Sequence, residues 1–162
     1  MKRLPLLAIV MGIASLIPII GCTCAIIFLS PTVTPRMLEV TVGYGAVMLS
    51  FMGAVHWGLA LETPAIITPG HEAGKTNTCR LLLGSLPAGV GWLALCAAMF
   101  HELAAVLMLM IGFAGVLVAE RMAWRKGAMP RGYMTLQWIV VTVVEVCLLA
   151  VTVMALSWKY TA

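Results

Sequence analysis

The chain has 162 residues, of which 62% are hydrophobic and 10% charged. A soluble domain carries about a quarter of its residues charged, so polar side chains cannot cover this surface and lipid must. At about 20 apolar residues per helical crossing, the length leaves no room for a second domain. The formal charge of +4 does not point to nucleic acid, because Lys and Arg lie in short segments between apolar runs. Membrane insertion produces that distribution.

Apolar runs follow one another at 4–29, 40–61, 81–100, 103–119 and 133–158. They are continuous rather than alternating, which excludes an outer-membrane barrel. The expected fold is an all-α polytopic bundle of about five transmembrane helices, forming one domain over 1–162. The first run follows Lys2 and Arg3. Its Ile19-Ile20-Gly21-Cys22 would also pass as a lipoprotein cleavage site, but the run is expected to remain as the first span. Pro18 inside it is tolerable where neighbouring helices satisfy the freed carbonyl. Pro31 and Pro35 are expected to end this span. Pro64, Pro69, Gly70 and Gly74 are read as the loop after the second, and Gly127 and Pro130 as punctuation before the fifth. His101 and Glu102 alone separate spans three and four, which demands a tight hairpin. The basic residues Lys2, Arg3, Lys75, Arg80, Arg121, Arg125, Lys126 and Arg131 fall on one side of this topology, and Arg36 and Lys159 on the other. The bias predicts an N-in/C-out orientation.

The second span is the most informative. At about 100° per residue, Gly45, Leu49, Met52 and His56 share one stripe, flanked by Gly53 and Ala60. Small residues on one stripe let another helix backbone approach, which drives association where no hydrophobic effect acts between helices. His56 lies six residues, roughly 9 Å, before Glu62, inside the inner leaflet. An ionisable residue there is a functional candidate by default; the plainer reading is a neutral imidazole locking two helices together. Haem ligation would need a second axial ligand at matching depth, and His101 (opposite face) and His71 (loop) do not offer one. Glu145, near the middle of the fifth span, costs on the order of 2.5–3.5 kcal/mol as a carboxylate. It is expected to be protonated, paired or turned to a polar cavity, and Thr142 shares its face.

Arg80, Glu120, Arg121 and Arg131 all fall at inner span ends. They are expected either to snorkel towards anionic lipid or to form one polar cluster beneath His56. The five cysteines, Cys22, Cys24, Cys79, Cys96 and Cys147, read as small apolar packing residues rather than a disulfide framework. The 12 methionines are spread among the spans and read as packing rather than a copper site. Trp57, Trp92, Trp124, Trp138, Trp158, Tyr133 and Tyr160 lie mostly near interfaces, as an aromatic belt would. The sequence holds no phosphate loop, nucleophile–base pair or zinc box, so neither catalytic residues nor a metal site is expected.

The run from Tyr44 to Leu61, with Ser50-Phe51-Met52-Gly53-Ala54-Val55-His56-Trp57 at its centre, resembles the signature of the domain-of-unknown-function 3429 family, the small five-span membrane proteins that include transmembrane protein 69. Leu86-Pro87 and Gly91-Trp92 in span three, and Pro130 followed by Tyr133, resemble its other landmarks. Two positions depart from it. Family members tend to carry Leu-Arg where this chain has Leu136-Gln137, and Glu145 is atypical. The resemblance implies a fold and a setting, the bacterial inner membrane or its mitochondrial counterpart, rather than a chemistry.

The expected role is a non-catalytic accessory or stabilising subunit of a larger inner-membrane complex, with a respiratory terminal quinol oxidase as the foremost host. Gly45, Ser50, Gly53, His56, Trp57 and Glu145 would then form packing or partner contacts. The expected partners are membrane lipids and other integral membrane subunits. No cofactor of its own is expected; a lipid or quinone headgroup would meet His56, Arg80, Arg121 and Arg131. The alternative is a stand-alone transporter or proton-conducting protein using Glu145 and His56. The absence of a visible internal repeat counts against it.

Overall fold

The computed structural model describes residues 5–29, 33–61, 71–125 and 132–161, with the backbone alone at 59, 61, 71–77, 79 and 158–161. Its helices are α1 (Leu6–Ala14), α2 (Ile17–Phe28), α3 (Thr34–Leu61), α4 (His71–Ala98), α5 (Glu102–Arg125) and α6 (Tyr133–Thr161). Together they supply five segments long and apolar enough to cross a bilayer, α1 and α2 jointly forming the first. The fold is all-helical among the described residues, as the continuous apolar runs require.

Helix boundaries correct several readings. Pro35 does not end the first span; it sits in the first turn of α3, where its missing N–H would have had no helical partner anyway. Gly74 and His71 lie in α4 rather than in a loop. Pro31, Pro64, Pro69, Gly70, Gly127 and Pro130 are outside the described residues. The hairpin at His101 is present: Phe100 N and His101 N both donate to the Ala97 carbonyl, at 3.0 and 2.8 Å.

The first span is two helices rather than one. Pro18 has no N–H to donate to the carbonyl four residues back, and the chain tightens at Ser15 and Leu16. There Leu16 N donates to Ile13 O at 3.0 Å and Ser15 Oγ to Gly12 O at 2.7 Å. A partner from another helix takes the exposed backbone: the Tyr44 hydroxyl donates to the Ser15 carbonyl at 2.6 Å. Beyond the break α2 packs on α3 and α6, whereas α1 leans chiefly on α6.

Helix α3 is the hub, packed against α2, α4 and α5, with α6 closing the bundle between α2 and α5. The predicted α3 stripe is its inner face: Gly45, Leu49, Met52, Gly53, His56 and Ala60 are all buried. The seam with α4 is built on glycines. A Cβ on Gly91 would stand 2.9 Å from the Ala46 carbonyl oxygen, and one on Gly84 would overlap the Trp57 indole and stand 2.9 Å from the Gly53 carbonyl oxygen. Such close approach supplies the van der Waals contact that holds helices together in lipid. Phe113, Leu109 and Val106 of α5 fill the centre with Leu49, Val42, Val144 and Leu148.

Candidate functional site

The α3 residues expected to pack do so within the chain. Gly45 takes Leu109 of α5, whose Cδ1 would be 2.8 Å from an added Cβ. Gly53 meets Gly84 and Pro87 of α4. Trp57 Nε1 donates to the Leu81 carbonyl at 3.1 Å and to Ser85 Oγ at 3.3 Å, tying α3 to α4. Ser50 is different: its Oγ donates to Ala46 O at 2.8 Å, within its own helix.

His56 is 2% exposed. It forms one wall of a cavity of about 240 Å³ whose other walls are Leu83, Leu86, Pro87 and Val90 of α4 and Ile111, Gly112, Gly115, Val116 and Ala119 of α5. Gly115 leaves this space open, with nothing within 4 Å of where its Cβ would be, whereas a Cβ on Gly112 would meet Leu49 at 2.6 Å. Arg80 of α4 is close enough for its charge to act on the ring.

The expected single cluster of Arg80, Glu120, Arg121 and Arg131 does not form among the described residues. Glu120 and Arg121 are neighbours on a helix and so point about 100° apart. Arg121 is exposed, its guanidinium 6.0 Å from the centre of the Trp138 ring, within reach of a cation–π attraction. Glu120 turns inward and is fully buried. Arg80 acts on His56 through its charge rather than joining Glu120, and Arg131 lies outside the described residues.

Glu120 anchors a polar group not anticipated as a site. Gly132, at φ 91°, turns the chain into α6; a residue with a Cβ adopts that conformation only with strain. The turn brings the Tyr133 hydroxyl back to donate to Glu120 Oε1 at 3.0 Å. Gln137, one turn further along α6 and 6% exposed, reaches the same carboxyl group. Glu120 Oε2 and Gln137 Nε2 are nonetheless both without a hydrogen-bond partner, so the two side chains meet without completing a bond. The apolar run read as span four stops at 119, one residue short of Glu120. Helix α5 continues to Arg125, and that extension takes the carboxyl group inside. The one signal that could have found this group was the Gln at 137 where a family member tends to have Arg.

Tyr133 and Gln137 also line a cavity of about 450 Å³ between α1, α3 and α6. Its walls are otherwise mainly apolar: Ala8, Met11 and Gly12 of α1, Val47, Phe51, Met52 and Val55 of α3, and Leu136 and Val140 of α6. Ser15 and Tyr44 close its far end. The cavity lies on the α1 side of the break at Ser15, where the chain leans on α6; packing against α3 belongs to α2, beyond the break.

Glu145 sits elsewhere. It is half-buried in a cleft between α5 and α6 formed with Met110, Ala114, Leu117, Trp138, Thr142 and Leu149. Its Oε1 has no hydrogen-bond partner, and no bond joins it to Thr142 among the described residues. His56 and Glu145 do not share a cavity. No group of three or more His, Cys, Asp or Glu side chains with the geometry of a metal site occurs among the described residues. Cys22, Cys24, Cys96 and Cys147 are free thiols.

Transmembrane protein 69 of Xenopus tropicalis is 32% identical to the chain over 110 residues. The aligned stretch is 68% of this chain and 40% of that protein, so the chain matches less than half the length of this relative. No solved structure matches. A multi-pass membrane protein is what the apolar helices and this relative both describe. The family model described as "Protein of unknown function (DUF3429)" matches residues 4–154, from the first span through most of the fifth, and the chain belongs to that family.

Proposed function

We propose that this chain is a non-catalytic accessory subunit that binds laterally to a larger assembly in the bacterial inner membrane. The observation that carries the reading is the setting of Glu145. A carboxyl group in mid-span, with one oxygen unpartnered, lies in a cleft whose rim residues Trp138, Val146 and Leu149 are exposed on the outside of the bundle. In lipid a mid-span carboxyl group costs on the order of 2.5–3.5 kcal/mol if charged, and the side chain is only half-buried by its own bundle. A transmembrane helix of another subunit seated in the cleft covers the apolar rim and takes the half-buried carboxyl group out of contact with lipid.

The host we propose is respiratory, such as a terminal quinol oxidase, in keeping with the setting that the family resemblance implies. The orientation we propose is N-in/C-out. Arg80, Arg121 and Arg125 gather at the end of the bundle where α4 starts and α5 finishes, while Arg36 is at the opposite end, a bias that favours the first end as cytoplasmic.

Photo-crosslinking residues placed at Val146 and Leu149, with recovery from native membranes in mild detergent, test the assembly. The expected outcome is a crosslink to a transmembrane subunit of a respiratory complex, and loss of co-purification in Glu145→Leu. Recovery of a free monomer with no crosslink overturns the reading. The alternative, a stand-alone transporter or proton conductor using Glu145 and His56, has no comparable observation in its favour.

A further inference from the structure

We propose that the groove between α4 and α5 beside His56 holds one chain of an anionic phospholipid, with the lipid's ester carbonyl at the His56 imidazole and its phosphate at Arg80. The inference does not depend on the assembly reading, since Glu145 faces the separate cleft between α5 and α6.

The imidazole is the group that calls for a ligand. His56 is 2% exposed and makes no hydrogen bond among the described residues, yet its nitrogens are not sealed off as Gln137 Nε2 and Glu120 Oε2 are. The ring is one wall of the groove of about 240 Å³. A helical side chain leans back towards the N-terminus of its own helix. Helices α3 and α4 run antiparallel, Trp57 meeting Leu81 and Ala46 meeting Gly91, so that lean carries the ring into the groove. The other walls are apolar, and an imidazole N–H without an acceptor is unfavourable there. The occupant must bring an acceptor to this end.

Helix α4 identifies the rest of the occupant. Arg80, Leu83, Pro87 and Val90 follow at spacings of three and four and share one face. Leu83, Pro87 and Val90 line the groove with Gly112, Gly115 and Val116 of α5, which gives roughly 10 Å of apolar wall running towards the middle of the membrane. Leu86 and Ile111 at its edge are 61% and 74% exposed, so the groove opens sideways to lipid tails. Its volume is below the roughly 300–1,000 Å³ of sites for drug-sized molecules and suits a single chain. Arg80 begins the membrane-crossing part of α4, three residues or roughly 4.5 Å nearer the surface than Leu83. It is half-exposed, and its charge reaches the His56 ring. A guanidinium has five N–H donors and takes a phosphate alongside other partners. Apolar wall, imidazole and guanidinium thus follow one another outward, in the order of acyl chain, ester carbonyl and phosphate within one leaflet. A quinone brings no anion for Arg80, and a fatty acid has one polar group for two positions. No Asp or Glu is among the described residues lining the groove, so nothing there repels a net negative head.

The test is native mass spectrometry of the full chain in mild detergent. It is titrated with dioleoylphosphatidylglycerol, with the ether-linked analogue that lacks ester carbonyls, and with dioleoylphosphatidylcholine. The expected result is a single retained phosphatidylglycerol, held about tenfold more tightly than either other lipid. His56→Phe keeps a ring and loses the donor, and should bind the ester and ether lipids alike. Arg80→Gln should bind phosphatidylglycerol and phosphatidylcholine alike. Gly115→Leu fills the groove from a position where nothing lies within 4 Å of the added Cβ; it should keep its unfolding midpoint and lose the lipid. The ester–ether comparison in the unaltered chain, together with Gly115→Leu, decides the matter even where His56→Phe does not fold. Equal binding of the ester and ether lipids, retention in Gly115→Leu, displacement by equimolar oleate, or no retained lipid at all would each overturn the assignment.

Discussion

The carboxyl group of Glu120 takes a hydrogen bond from Tyr133, and its second oxygen and the Gln137 amide approach each other without completing a bond. A hydrogen bond between membrane helices is worth about 0.6 kcal/mol on average and up to about 1.7, and orphaning a buried group costs more than the bond contributes. Tyr133→Phe should therefore lower stability by about 1–2 kcal/mol, read as the midpoint of unfolding in mixed micelles. Gln137→Arg places a guanidinium beside the unpartnered oxygen, where a charge-assisted bond is available. Its stability should depend on its neighbour. A double-mutant cycle with Glu120→Gln should give a coupling of at least about 1 kcal/mol, and a coupling near zero would mean that the two side chains do not meet.

At the scale of the helix, the glycines of α4 separate into two kinds. Gly84 faces Trp57 and the Gly53 carbonyl with no room for a methyl group, whereas nothing lies within 4 Å of where a Cβ on Gly89 would be. Gly84→Ala should push α4 off α3 and destabilise by about 1–3 kcal/mol, the usual cost of overpacking. Gly89→Ala should be neutral or stabilising by up to about 1 kcal/mol, from helix propensity alone. Equal effects at the two sites would contradict the seam. The inner face of α3 was legible in advance because a helix buries every third or fourth residue, and the spacing from Gly45 to His56 obeys that rule. The break in the first span was not. Pro18 marks a missing hydrogen bond in any sequence, but a helix can pass a proline with a modest bend. Here the Tyr44 hydroxyl binds the carbonyl at the break, and Tyr44 is 29 residues away.

For the whole molecule, the proposed orientation and partnership each have a direct measurement. Single cysteines replacing Arg36 and Arg125 should be labelled by a membrane-impermeant maleimide from opposite sides of intact cells, with Arg125→Cys protected until the membrane is opened. Labelling of both from outside would refute the N-in arrangement. Glu145→Leu should leave the isolated chain as stable as before, or more so, while reducing recovery of the host complex several-fold. A change in the isolated chain alone would make Glu145 an internal packing acid.

Composition and the run of apolar residues were sufficient by themselves to require a multi-pass helical membrane protein, because the transfer of each segment into hydrocarbon depends on its own side chains and hardly on its neighbours. The α3 packing face followed from the same local arithmetic. The meeting of Glu120, Tyr133 and Gln137, the separation of His56 from Glu145, and the cavity beside α1 were decided only by tertiary structure. They depend on how each helix is rotated and where it stops, and in lipid no hydrophobic force sets those variables. A few close contacts between glycine backbones, and a few buried hydrogen bonds, do so instead.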